Sequence, residues 1–229
     1  MEGVVDAPYM ELVEIMQAET LLFKGILKIL ESSRVKAFFA FKQSWKIYAK
    51  FEKRMNALDA DAQSRLCLGL GIFYLGISTL PGAFSSLCSF IGGFSGDKKL
   101  GLGYLARAIE AKGSRACFAA LLLGLFHLEI DPHMEEVCRI MERMLRAFPN
   151  CALFQWVTSM VAFRFTQLDD AVYLLERALS VMNEDVAQNA GYIKYELGWF
   201  YFLKLEFDEC LPLFHEVVAY CTGRDLGFV

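Results

Sequence analysis

Charge is scarce in this sequence. Only 22% of its 229 residues are Asp, Glu, Lys or Arg, against 55% hydrophobic and 14% aromatic residues, and the mean hydropathy is +0.35. Low hydrophobicity with high net charge marks disorder, so this composition excludes disorder for most of the chain and leaves material for a sizeable core. A basic excess is missing as well. With 23 Lys and Arg against 27 Asp and Glu, the net charge is -4 and the pI about 5.5, which argues against a nucleic-acid-binding face. The cysteines at 67, 88, 117, 138, 151, 210 and 221 are odd in number and contain no C-x-x-C pair, so no disulfide framework is read and a reduced, cytoplasmic setting is expected. Acid stands at Glu2 and Asp6, where a signal peptide needs a basic region before an apolar one, so no secretory segment is read at the start.

Strand alternation is nowhere sustained, and what replaces it is a period near 3.6. Val137, Ile140, Met141, Met144 and Leu145 repeat at i, i+3, i+4, i+7 and i+8 between Asp131-Pro132, a cap with proline at the first helical position, and the stop at Pro149. Ala171, Leu174, Leu175, Ala178 and Met182 carry the same stripe, with Asp169 and Asp170 at the positive end of the helix dipole. Helices are expected near 9–30, 33–56, 60–79, 98–111, 115–129, 133–147, 151–165, 169–182, 187–204 and 207–221. The fold class is all-α.

Helices joined by such short turns call for a test of repetition. The tetratricopeptide signature places small or apolar residues where helices A and B of a hairpin cross closely. With its small position twenty on Ala171, positions eight, twenty-four and twenty-seven fall on Ser159, Leu175 and Ala178. With position twenty on Cys210, Leu197-Gly198-Trp199-Phe200-Tyr201 matches the L-G-x-x-Y core. Val137 lies 34 residues before Ala171 and puts position thirty-two on Pro149, where the signature has proline, while Gly25 and Ala37 repeat the offset between positions eight and twenty. A tetratricopeptide-like helical-hairpin solenoid of about ten helices follows. It is expected as a single domain over 1–229, with an N-terminal hairpin in 1–56, an interrupted hairpin in 57–111 carrying an insertion at 80–96, and further hairpins in 112–222.

Several segments also resemble a known family. Glu19-Thr20-Leu21-Leu22, Arg34-Val35-Lys36-Ala37 and Trp45-Lys46-Ile47-Tyr48 resemble the first hairpin of the tetratricopeptide-repeat protein thirty-nine and inclusion-body-clearance family. Ser78-Thr79-Leu80-Pro81, then Phe90 to Lys98 and Gly101-Leu102, resemble its S-x-L-P-P … F-x-G-F-x-G-D-R … G-L segment, with Gly82 in place of the second proline and Lys98 in place of arginine. The resemblance implies a non-enzymatic scaffold in the cytoplasm, linked to lipid droplets, sterol regulation or clearance of protein inclusions. It also implies that this chain is an N-terminal portion or a short member, because family members are longer, and it supplies no catalytic residue.

No charge occurs from 66 to 96, long enough for a membrane helix of about twenty residues. Gly69, Gly71, Gly76, Pro81, Gly82, Ser85, Ser86 and Ser89 oppose that reading, and 66–79 is expected as a buried helix followed by an insertion at 80–96. A peripheral membrane or lipid-binding protein that uses 66–96 is the alternative, with Phe84, Leu87, Phe90, Ile91 and Phe94 as its apolar contacts. Other motifs fail on their surroundings. Gly101-Leu102-Gly103-Tyr104-Leu105-Ala106 spells a dinucleotide fingerprint but follows no strand, so its small residues are read as helix packing. His127, His133 and His215 lie on separate segments without the ligand spacing of a zinc site. Lys42, Lys46, Lys50, Lys53 and Arg54 form a solvated helical face. No enzyme, cofactor or metal is expected.

One functional inference comes from repeat spacing. In such solenoids positions two, five, nine and twelve of the A helices face the groove. In the last unit these are Tyr192, Tyr195, Trp199 and Phe202, in the one before Leu153, Trp156, Met160 and Phe163, and in the Val137 unit Ala119, Leu122, Phe126 and Glu129. This wall is aromatic and apolar. Trp156, Met160, Phe163, Tyr192, Tyr195, Trp199 and Phe202 are the candidate partner-binding residues. The wall is filled from within, by the helices of 9–56 or by further repeats of a longer chain, or else by an apolar partner helix, peptide or lipid.

Overall fold

In a computed structural model, residues 7–79, 93, 95–130, 132–182 and 190–222 are described. Among them there is no strand. Ten α-helices occur: α1 Ala7–Leu30, α2 Arg34–Glu52, α3 Ala60–Ser78, α4 Lys98–Glu110, α5 Ala116–Glu129, α6 Met134–Ala147, α7 Ala152–Arg164, α8 Leu168–Ser180, α9 Ala190–Leu203 and α10 Phe207–Thr222, with a 3-10 turn at Met55–Ala57. The expected helix 33–56 thus stops at Glu52. Asp131, most of the 80–96 insertion and the start of the helix expected at 187 lie outside the described residues.

The chain divides into two compact units, 1–123 and 124–229, with the division inside α5. In the first unit, close crossings are made by small residues. A Cβ on Gly25 would lie 2.4 Å from the Phe41 ring, and one on Gly69 would lie 2.2 Å from the Tyr48 hydroxyl. Gly101 crosses α3 so closely that a Cβ there would lie 2.8 Å from the Leu75 backbone nitrogen. Asp97 caps α4 by accepting the Leu100 N–H at 2.9 Å, and its own N–H donates to the Tyr74 carbonyl at 3.2 Å. Gly96 has no room for a side chain beside the Ser78 backbone. The resemblance motif around 78 and 96–101 is therefore a crossing and a cap. Of the charge-free stretch, 66–78 is the latter part of α3, with Leu66, Leu68, Leu70, Phe73 and Ile77 buried. Each such side chain contributes about 1.5–3 kcal/mol on burial.

Ions tie the same unit together. Glu19 is buried on α1 and accepts from Arg65 Nη1 at 2.8 Å and from Arg115 Nε. Asp61 accepts from Arg65 Nε at 2.9 Å and from the Ser114 N–H at 2.7 Å. Glu52 accepts from the hydroxyls of Tyr74 at 3.1 Å and Tyr104 at 2.6 Å, whose rings stack. Lys50 and Arg54 of the lysine face pair with Glu14 and Glu11 on α1, while Lys42 and Lys46 stay exposed.

The second unit holds a core of Ala162, Ala171, Leu175, Ala178, Ile193, Leu197, Phe200 and Cys210. Gly198 lets the Phe214 ring sit where its Cβ would be, at 2.8 Å, which explains the small residue at position eight facing an apolar one at position twenty-four. Three hairpins close alike. Ser33 donates to the Lys28 carbonyl at 2.8 Å, Gln167 to Ala162 at 2.9 Å and Glu206 to Tyr201 at 2.9 Å. The preceding residues Ser32, Thr166 and Leu205 have φ of 58°, 60° and 62°, the Schellman closure made without glycine.

Candidate interaction face

Helix α9 is apolar on both sides. Ile193, Leu197, Phe200 and Tyr201 enter the core, whereas Tyr192, Tyr195, Trp199 and Phe202 keep 70%, 43%, 41% and 42% of their surface exposed. Spacings of three and four residues align the second set along one face. Three of these rings join Phe214 of α10 in a continuous cluster: Tyr195 lies 6.3 Å from Trp199, Trp199 lies 5.4 Å edge-on to Phe202, and Phe214 approaches Tyr195 and Trp199 at 6.2 and 6.1 Å. Edge-to-face contacts fix ring orientation, so the cluster is a preorganised surface.

The candidates on α7 sit differently. Trp156, Met160 and Phe163 are half-buried against the core of the second unit, and Phe163 stacks on Phe200 at 5.0 Å. The indole N–H of Trp156 is buried without a hydrogen-bond partner among the described residues. Leu153 is exposed, but Ala119 and Phe126 are buried, so those two offer no surface. Beside the aromatic face, Arg164 at the end of α7 reaches Glu129 at the end of α5 at 3.3 Å. Glu196 of α9 is half-buried between Tyr192 and Trp199 in sequence; burial, and then the Glu129 carboxylate, raise its pKa.

His127 is buried, and its ring lies 5.0 Å from that of His133, a pairing that spacing alone did not suggest. Among the described residues no three His, Cys, Asp or Glu side chains converge. Cys67 is fully buried beside Met55, and burial pushes its thiol up to about 11, the opposite of what a nucleophile requires. Cys210 is buried and Cys221 is exposed, while Cys88 lies outside the described residues. The dinucleotide-like motif divides: Gly101 is a packing residue, and Gly103 faces open space. No helix among the described residues is long and apolar enough to cross a membrane.

Helical hairpins crossing at small residues, with one A-helix face left aromatic, define a tetratricopeptide-like, all-α helical-hairpin solenoid, a fold suited to a protein-interaction scaffold. A solved structure shares the fold: MamA AMB-1 superposes with a TM-score of 0.50 at 16% identity, covering 92% of this chain and 95% of that one. MamA MSR-1 gives 0.47 at 18% identity, covering 90% and 97%. The sequence model of Iml2/Tetratricopeptide repeat protein 39 matches residues 6–221, and the chain belongs to that family.

Proposed function

We propose that this protein is a non-catalytic interaction scaffold that binds an apolar helix or peptide of a partner through Tyr192, Tyr195, Trp199 and Phe202 of α9, with Trp156, Met160 and Phe163 as the supporting layer. The observation that carries this is the exposed, mutually locked ring cluster on a helix whose other side is already fully used in the core. Large exposed apolar patches on soluble domains mark contact sites, and aromatic anchors supply most of the binding energy where they are buried by a partner. The cytoplasm is the compartment we assign, and lipid droplets, sterol regulation or inclusion clearance are the settings suggested by the family resemblance.

Trp199→Ala tests it without disturbing the core, unlike Trp156→Ala, which removes packing. Affinity purification from cytosol is expected to lose specific partners with Trp199→Ala while the variant, which gives up ring contacts to Tyr195, Phe202 and Phe214, still unfolds in one cooperative transition above the assay temperature. Unchanged capture by a folded variant overturns the assignment.

A further inference from the structure

The charge of the chain is unevenly placed. Residues 124–229 contain eight Lys and Arg against sixteen Asp and Glu, net -8, so that 1–123 carries the remaining fifteen against eleven, net +4. The aromatic face lies in the acidic part. On α9, α10 and the turn between them the acids are Glu196, Glu206, Asp208, Glu209 and Glu216, and both lysines are already engaged: Lys194 with Glu216, and Lys204 with Asp169 and Glu206 at 2.8 and 3.0 Å. Asp208 and Glu209 complement the start of α10. Glu196 is different, because it is half-buried beside the aromatic face and the charge that acts on it is another carboxylate, Glu129. Glu129 itself pairs with Arg164 at 3.3 Å.

Building on the reading above, we propose that the occupant of the α9 face is a cationic amphipathic helix: its apolar side chains cover Tyr195, Trp199 and Phe202, and a lysine or arginine enters between Tyr192 and Trp199 to meet Glu196 and Glu129. Three features favour this. A half-buried carboxylate is stabilised by an incoming cation, and among the described residues Glu196 itself has no ion-pair partner, Arg164 being engaged with Glu129. Tyr192 and Trp199, four and three residues from Glu196, lie on adjacent turns of α9, so a cation that meets Glu196 has aromatic rings within reach, and a desolvated cation gains from a π-system. The net charge of the unit attracts a positive helix from a distance and repels an anionic membrane surface, which separates the two apolar occupants.

The test uses the whole chain and three fluorescent helical peptides that share one leucine and phenylalanine face and carry lysine, glutamine or glutamate on the other. The lysine peptide is expected to bind at least about tenfold tighter than the glutamate peptide at low salt, with the difference shrinking as salt is added. Glu196→Gln should erase most of that preference while leaving the glutamine peptide unchanged, and Glu196→Lys should reverse it. Trp199→Ala should weaken all three. Equal binding of the lysine and glutamate peptides, still sensitive to Trp199→Ala, overturns the cationic occupant and leaves the docking face standing. Binding that is absent, or insensitive to Trp199→Ala, removes both. Flotation with phosphatidylcholine vesicles containing about a quarter phosphatidylserine that depends on Trp199, or a Trp199-dependent dimer in sedimentation, reassigns the face to lipid or to a second copy.

Discussion

Glu19 is a buried charge that links three segments of the first unit. Its carboxylate is almost entirely removed from water, with 7% of the side chain exposed, and two guanidinium groups satisfy it, Arg65 from α3 and Arg115 from the segment before α5. Removing the charge from one member of a buried pair leaves the others uncompensated, at a cost of about 3 kcal/mol. Glu19→Gln is therefore expected to lower the urea midpoint sharply at unchanged m-value, and a shift under about 0.5 kcal/mol would show that the pair contributes nothing net. Asp61 adds a pH signature. Burial raises its pKa, but hydrogen bonds from the Ser114 hydroxyl and Arg65 outweigh that and hold it at about 2. The folded value lies below the unfolded value near 3.9, so the stabilisation is complete above about pH 4 and is lost as pH falls towards 2. Asp61→Asn should flatten that part of the acid-unfolding curve and leave the curve above about pH 5 parallel to the parent's. None of this network was legible in the sequence, where Glu19 stood out only within a family-like motif. Its partners lie 46 and 96 residues away, and no local spacing encodes such a pairing. The aromatic set on α9 was legible, because four residues at helical spacing reveal a face whether or not the core is known.

At the scale of the element, the periodicity located the helices well, since an amphipathic stripe continues until a cap, a proline or a turn interrupts it. The turns were harder to read. Ser32, Thr166 and Leu205 take the left-handed conformation that glycine usually supplies, so the sequence carried no glycine to announce these closures. Glycine misled in the other direction at 101 and 103, which look equivalent in the motif. A Cβ on Gly101 meets the backbone of α3 at 2.8 Å, while one on Gly103 meets nothing within 4 Å. Gly101→Ala must push α4 away from α3 and should cost about 1–3 kcal/mol, as overpacking does. Gly103→Ala should raise stability by about 0.5–1 kcal/mol through lower unfolded-state entropy and better helix propensity. Thermal melts of the two variants should therefore move in opposite directions, and parallel shifts would mean that α3 and α4 are not held at this spacing.

For the whole molecule, composition gave the excess of apolar residues but not its partition into two units. The division falls within α5, an unbroken and strongly apolar helix with no linker composition to betray it. Within the second unit, one buried cluster draws its members from α7 to α10, while Val137, Met141 and Met144 of α6 are buried as well. In repeat folds, contacts are made between neighbours, so a lesion is felt first in adjoining hairpins and only then further along. Gly198→Val makes a suitable lesion because the added side chain falls on the Phe214 ring, joining the two helices of the last hairpin. Hydrogen exchange in the parent should report strong protection in α3 and α9 alike. In the variant, exchange in α9 and α10 is expected to accelerate by more than about tenfold, with a smaller effect in α7 and α8 and less than about twofold in α3 and α4, since sub-global opening follows the local free energy. A uniform acceleration along the chain would instead mean that α1 to α10 open as one cooperative block. In that case substitutions on the α9 face could not be read as local binding defects without a matched stability measurement for each.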